Sequence, residues 1–251
     1  MKYDLHIHSC LSPCGDADMT PNNIAGMAML NGVELAALTD HNTTMNCPAF
    51  FKACENVGVV PIGGMELTTA EDIHMVCLFP SLEKTMAFGE FVAEHRMKIK
   101  NRPDIFGEQI ILDENDEEIG RIDDLLVAGT DLDISTAFNE VERFGGAAFP
   151  AHIDKMSNGL IAILGDFPPE PIFGSAEFHD LAKKNDYISK YSALNGMKHL
   201  TCSDAHYLHM MTTDPDDLPI ERREMDDDAV RNAVIRYIKG EKCRETVNFK
   251  I

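Results

Sequence analysis

Four stretches of this chain share one form, a short apolar run with a carboxylate or an imidazole at or next to its end. They are VELAALTDH at 33–41, VVPIGGMEL at 59–67, AAFPAH at 147–152 and LTCSDAH at 200–206. Apolar runs of this length, bounded by turn residues, read as buried strands. Helical patterns alternate with them. One is expected at 21–30, with Thr20 as its N-cap and Pro21 at its first position. Others are expected at 48–56, 82–99 and 226–240, the last opening on acids and closing on Gly240. Strand–helix alternation predicts a parallel sheet or barrel. Seven or so repeats in 251 residues predict an α/β barrel in a single domain spanning 1–251. In such a barrel the C-terminal ends of the strands meet at one mouth, so their terminal side chains converge.

The first strand, 2–8, carries His6 and His8 at alternate positions. Alternate residues of a strand share a face, so the two imidazoles are expected to project together while Leu5 and Ile7 project the other way. Asp40 and His41, Glu66, His152, and Asp204 with His206 end later strands, and His74 begins the strand at 73–79. Scattered surface histidines would not choose strand ends repeatedly, so the set predicts a metal centre. Imidazole and carboxylate without thiolate suit Zn²⁺, Mn²⁺ or Fe²⁺. His95, His179, His199 and His209 lack such a context.

Segment 106–123, FGEQIILDENDEEIGRID, interrupts the rhythm. It predicts an acidic, exposed β-hairpin insertion over or beside the barrel, with Asn115 and Asp116 near its turn.

Composition bounds the partners. The net charge is −20, from 42 acids against 22 bases. Such a chain repels a polyanion, so no long nucleic acid is expected as a partner. No apolar stretch approaches the roughly 20 residues that span a bilayer, and the N-terminus has no signal-peptide pattern. A cytoplasmic protein is therefore expected. Seven cysteines, with no CxxC pair, read as reduced thiols.

Together the motifs DLHIHS (4–9), LTDHN (38–42), GGMELT (63–68), the His74 strand, PAHID (150–154) and SDAH (203–206) resemble the PHP family, the polymerase and histidinol phosphatase superfamily of metal-dependent phosphoesterases. The resemblance implies a distorted seven-stranded barrel holding three divalent ions. It implies that His6, His8, Glu66 and Asp204 hold the first, and that Glu66 bridges to a second held by His74 and His152. His41 and His206 would hold a third. Their further ligand would come from the loop after the first strand, where Asp16 is the candidate and Asp18 the fallback. Asp40 would orient a ligand.

The implied reaction is hydrolysis of a small phosphate ester by a metal-activated hydroxide, with a small phosphorylated molecule as partner. Glu66, Asp204, His206 and Lys155 are the candidate catalytic residues, Lys155 either meeting phosphate or lying solvated. Exonuclease action on short DNA or RNA is one rival, which the acidic surface argues against, and two further alternatives stand beside it. One is an amidohydrolase-type metal hydrolase, in which a modified Lys usually occupies the place of Glu66. The other is a metal-binding PHP module without catalysis.

Overall fold

A computed structural model describes residues 1–222 and 225–241 of the chain; Cys243 lies outside them. In order, the elements are β1 (Tyr3–Ile7), α1 (Pro21–Leu30), β2 (Leu35–Leu38), α2 (Cys47–Val57), β3 (Val60–Thr68), β4 (His74–Phe79), α3 (Leu82–His95), α4 (Pro103–Phe106), β5 (Ile110–Leu112), β6 (Glu118–Arg121), α5 (Ile134–Arg143), β7 (Ala147–Pro150), α6 (Leu160–Leu164), β8 (Ser175–Glu177), α7 (Lys184–Lys190), β9 (Lys198–Leu200) and α8 (Asp227–Ile238). Among the described residues no helix is long and apolar enough to cross a membrane.

The fold is α/β, a distorted barrel. Five strands form one curled sheet in the order β1-β2-β3-β4-β7, and β8 pairs with β9. β1, β2 and β3 are parallel, while β4 runs antiparallel to both neighbours. The Ile153 amide donates to the Glu177 carbonyl, joining the end of β7 to β8. A bridge from Ile7 to Ala205 closes the seam between β9 and β1. The reversal of β4 matters for the site. His74 begins its strand, yet it pairs with Thr68 at the end of β3 and so stands at the same mouth as the strand ends around it.

The inward face explains the apolar runs. Leu35, Ala37, Val60, Ile62, Val76, Leu78 and Phe149 form one buried cluster with Val230, Val234 and Ile238 of α8, which plugs the end opposite the mouth. The guanidinium of Arg231 on α8 donates to the carbonyls of Pro61 and Pro80 and pairs with Asp228.

β1 departs from simple alternation. Asp4 pairs with Ala36 and Ile7 with Leu38, so β1 carries one extra residue between them. Leu5 packs in the α8 cluster, whereas Ile7 packs among α1 and α2. Leu5 and Ile7 therefore do not share a face, contrary to the expectation from alternation. A bulge re-aims the residues that follow it, and here it turns His6 and His8 inward.

α1 has the predicted cap: Thr20 Oγ1 accepts from the Asn23 amide, with Pro21 next. α3 stops earlier than the pattern predicts. Residues 96–99 leave the helix because Arg96 bridges to Thr130 and the Met97 amide donates to the Gly129 carbonyl.

The predicted hairpin is β5–β6, with Asp116 in its turn at positive φ. It is docked on the barrel. The Asp116 carboxylate accepts from Thr20 Oγ1 (2.6 Å) and the Asn22 amide (3.3 Å), at the start of α1. Asn46 grips β5 through the Ile110 carbonyl (3.1 Å) and the Leu112 amide (2.9 Å). Gly107, at φ 100°, passes so close to Pro13 that a β-carbon would collide with the Pro13 carbonyl.

Candidate metal centre

Glu66 stands at the centre of the mouth, buried on β3. Five histidine nitrogens surround its carboxylate. They are His6 Nε2 at 3.4 Å, His8 Nε2 at 3.2 Å, His41 Nδ1 at 3.2 Å, His74 Nδ1 at 2.8 Å and His152 Nε2 at 3.0 Å. Asp204 Oδ1 faces His6 Nε2 at 3.4 Å, His8 Nε2 at 3.3 Å and His206 Nδ1 at 3.7 Å. Ligand atoms gather in three groups among the described residues: His6, His8, Glu66 and Asp204; His41, Glu66 and His74; and His8, His41 and His206.

The backbone is held in costly conformations here. His152 has φ 29° and Asp204 φ 49°. Non-glycine residues adopt such angles rarely, and they concentrate at functional sites.

Hydrogen-bond directions test whether a cation fits. Ser12 Oγ donates to Asp40 (2.7 Å), so it accepts from His8 Nδ1 (3.0 Å). Glu177 accepts from His6 Nδ1 at 2.9 Å. With both Nδ1 atoms protonated, the neutral rings present Nε2 lone pairs only 3.2 Å apart, against two carboxylates. Asp204 Oδ1 is buried with no hydrogen-bond partner. Lone pairs converging without protons require positive charge, so these residues fit divalent metal ions.

Without ions, protons substitute. Burial alone would lower His6, yet Glu177, Glu66 and Asp204 hold it well above its usual value. Against the same burial, the Asp204 and Glu66 carboxylates facing Nε2 push His8 up to about 9. Burial and the charge of His8 press His41 well below the usual range and His206 down to about 4. Glu66 and Asp204 lie below the ordinary carboxylate range despite burial, held there by the facing histidines.

The remaining sequence candidates fall as follows. The Lys155 ammonium contacts Asp204 Oδ2 at 2.6 Å. The Asp16 amide donates to the His206 carbonyl at 2.9 Å, so its loop lies beside the mouth. Its Oδ1 caps its own turn by accepting from the Asp18 amide at 2.9 Å, and neither Asp16 nor Asp18 joins the three groups. Asp40 acts at one remove, holding Ser9 and Ser12. His95 pairs with Asp131 (2.7 Å), His199 with the Leu194 carbonyl (3.0 Å), and His209 lies against Tyr207.

Sequence reasoning missed Glu177. Buried on β8, it grips His6 and also accepts from the His152 amide (3.3 Å). The signal was a carboxylate closing SAE, a strand too short for its period to register.

The PHP domain model matches residues 4–167. The chain belongs to the PHP domain family. It is 36% identical over 80 residues to a 5'-3' exoribonuclease of Haemophilus influenzae, covering 31% of this chain and 28% of that protein. Among solved structures, the lesion-specific endonuclease PfuEndoQ from Pyrococcus furiosus matches with a TM-score of 0.57 and 22% identity, over 82% of this chain and 48% of that one. A putative metal-dependent phosphoesterase from Bifidobacterium adolescentis matches with a TM-score of 0.53 and 18% identity, over 94% of this chain and 95% of that one. The chain thus spans less than half the length of the exoribonuclease and of the endonuclease.

Endonuclease Q is also solved with a 27-mer duplex substrate bearing an abasic lesion at the active site. That finding overturns the expected partner, a small phosphorylated molecule with long nucleic acid excluded. The exclusion rested on net charge, which sums the whole surface. A phosphate at the mouth feels the charges within a Debye length of roughly 8–10 Å, and those are set by the site.

Proposed function

We propose that this chain is a metal-dependent phosphodiesterase that cleaves nucleic acid at the Glu66 centre. The observation that carries the reading is the convergence of five histidines and Asp204 around Glu66, with lone pairs that only cations reconcile. Relatives named as an exoribonuclease and an endonuclease support the substrate class. The family motifs favour three ions, of zinc, manganese or iron. His6, His8, Glu66 and Asp204 would hold one, Glu66, His74 and His152 a second, and His41, His206 and Asp16 a third. Bound ions would supply Lewis-acid charge and a water of lowered pKa.

The chain's own residues do the rest. His6, His8 and Glu66 are almost wholly buried, while His74, His206 and Lys155 are progressively more open. The substrate therefore enters from the Lys155 side. Lys155 is partly exposed, and its Nζ can move from Asp204 to a non-bridging phosphate oxygen, neutralising charge as the phosphorus is attacked. Glu177 and Ser12 fix the rings of His6 and His8. All six described cysteines are free thiols, which supports a reducing cytoplasm as the compartment.

The test is incubation of the metal-loaded protein with bis(p-nitrophenyl) phosphate, single-stranded and duplex oligonucleotides, and amide and lactone substrates. Hydrolysis of the diesters is expected. Turnover of an amide or lactone alone would replace this reading with the amidohydrolase one.

A further inference from the structure

A protein of net charge −20 needs a local place to hold a polyanion. One segment reverses the charge. Residues 96–102, RMKIKNR, place Arg96, Lys98, Lys100 and Arg102 within seven positions. The run turns at Lys98, where the Ile99 amide donates to the Met97 carbonyl, and is extended over 99–101: the Leu125 amide donates to the Ile99 carbonyl, and the Asn101 amide to the Asp123 carbonyl. Lys98 stands at the turn, and Lys100 and Arg102 therefore lie along one side after it, roughly 6.6 Å apart. That is close to the separation of successive phosphates on a nucleic-acid strand.

The cations are available. The Lys98 and Arg102 side chains are 60% and 63% exposed, and Lys100 is exposed. Lys98 pairs with Asp124 at 3.0 Å and Arg102 with Asp104 at 2.7 Å. Exposed ion pairs of this kind are weak and exchange readily for another anion. Arg96 keeps a buried Nε with no hydrogen-bond partner. Apolar side chains lie between and beyond the charges: Met97, Ile99, Ile105 and Phe106 are all exposed. Cations interleaved with an exposed aromatic ring suit a strand whose phosphates are paired and whose bases stack.

The segment also borders the mouth. The Met97 amide donates to Gly129 (3.2 Å), and the Thr130 amide to Thr68 (2.9 Å), two residues past Glu66. Asn42, next to His41, holds the carbonyls of Leu126 and Ala128 in the same strip.

We infer that residues 96–106 form a track that binds a nucleic-acid strand and leads it to the metal centre, an inference that rests on the phosphodiesterase reading. Lys100 and Arg102 meet successive phosphates, Lys98 a further one, and Phe106 offers a face to a base.

The track is tested by the salt dependence of binding, using the metal-loaded full chain and phosphorothioate single strands of about 20 nucleotides, read by fluorescence anisotropy. Each phosphate contact on a single strand adds roughly 0.7 to the slope of log K against log salt. Lys98→Ala and Lys100→Ala are each expected to flatten the slope by about 0.7, and the double variant by about twice that. Lys52→Ala, at an exposed pair on α2, should leave it unchanged. Hydrolysis of bis(p-nitrophenyl) phosphate should be the same in all of them. An unchanged slope in the Lys98→Glu, Lys100→Glu double variant overturns the track, as does failure of the wild type to bind. Failure of the wild type to hydrolyse the small diester instead overturns the phosphodiesterase reading, and the anisotropy still decides the track.

Discussion

The Lys155 ammonium lies 2.6 Å from Oδ2 of Asp204, while Oδ1 of the same carboxylate faces His6 and His8. One carboxylate thus links a partly exposed cation to the metal-competent cluster. Lys155→Met should lower kcat/KM on a phosphodiester by about 10²-fold, the scale of losing one electrostatic contact to the reacting group. Metal content should be kept or raised, because a competing cation has gone. Kinetics paired with elemental analysis check both; unchanged kinetics would mean that Lys155 only neutralises Asp204.

Glu66 is the most densely surrounded carboxylate in the site. Glu66→Gln keeps its shape and removes its charge. Turnover should fall on the order of 10³-fold, and more than one ion should be lost, since two of the three ligand groups share this carboxylate charge. A variant with full metal content and near-normal turnover would refute its central place.

Glu177 touches no candidate ion site directly, yet it sets the tautomer of His6. Glu177→Gln and Glu177→Ala should weaken metal affinity by roughly 10–100-fold, as such supporting carboxylates do. Competition with a chromophoric chelator measures this without any assay of turnover. Equal affinities for both variants and the wild type would leave Glu177 a packing residue.

Asp16 separates two roles. If its carboxylate swings from its turn to complete the ion at His41 and His206, Asp16→Ala should lose about one ion per chain and keep the others. If it only caps the Asp18 amide, elemental analysis will show no loss.

Metal uptake should depend on pH with a definite sign. His6 is raised and His8 sits at about 9 in the metal-free protein, so near neutral pH both carry protons that ligation must expel. Affinity should rise with pH up to about 9, with protons released on binding. Calorimetry in buffers of different ionisation enthalpy counts them. The stability of the metal-free protein should run the other way. The raised histidines stabilise it fully below their unfolded pKa, roughly 6.5, and that contribution is lost as pH climbs through about 9.

What was legible in the sequence was local. Thr20 and Pro21 announce α1 because a cap needs only its own turn. The strand-end residues announce the site because the barrel makes strand ends converge. The bulge in β1 was not legible, since it exists only as a register against β2. Helix formers at Arg96, Met97 and Lys98 extended the predicted α3, and the partner that draws them away lies some thirty residues downstream at Gly129 and Thr130. The partner class was misread because a summed charge says nothing of where the charges stand.

The seam between β1 and β9 has a consequence for how the chain assembles. β3 and β4 are joined by a short turn, and Glu66 meets His74 across eight residues. Closing so small a loop costs little chain entropy. The Ile7–Ala205 bridge joins positions nearly 200 residues apart, and contacts of that separation are slow to form. Chain entropy therefore orders the pocket: Glu66 and His74 can meet early, whereas Asp204 and His206 arrive with the last closure. An ion already seated on the early ligands would then draw the late strand in, acting as a folding template as well as a catalyst.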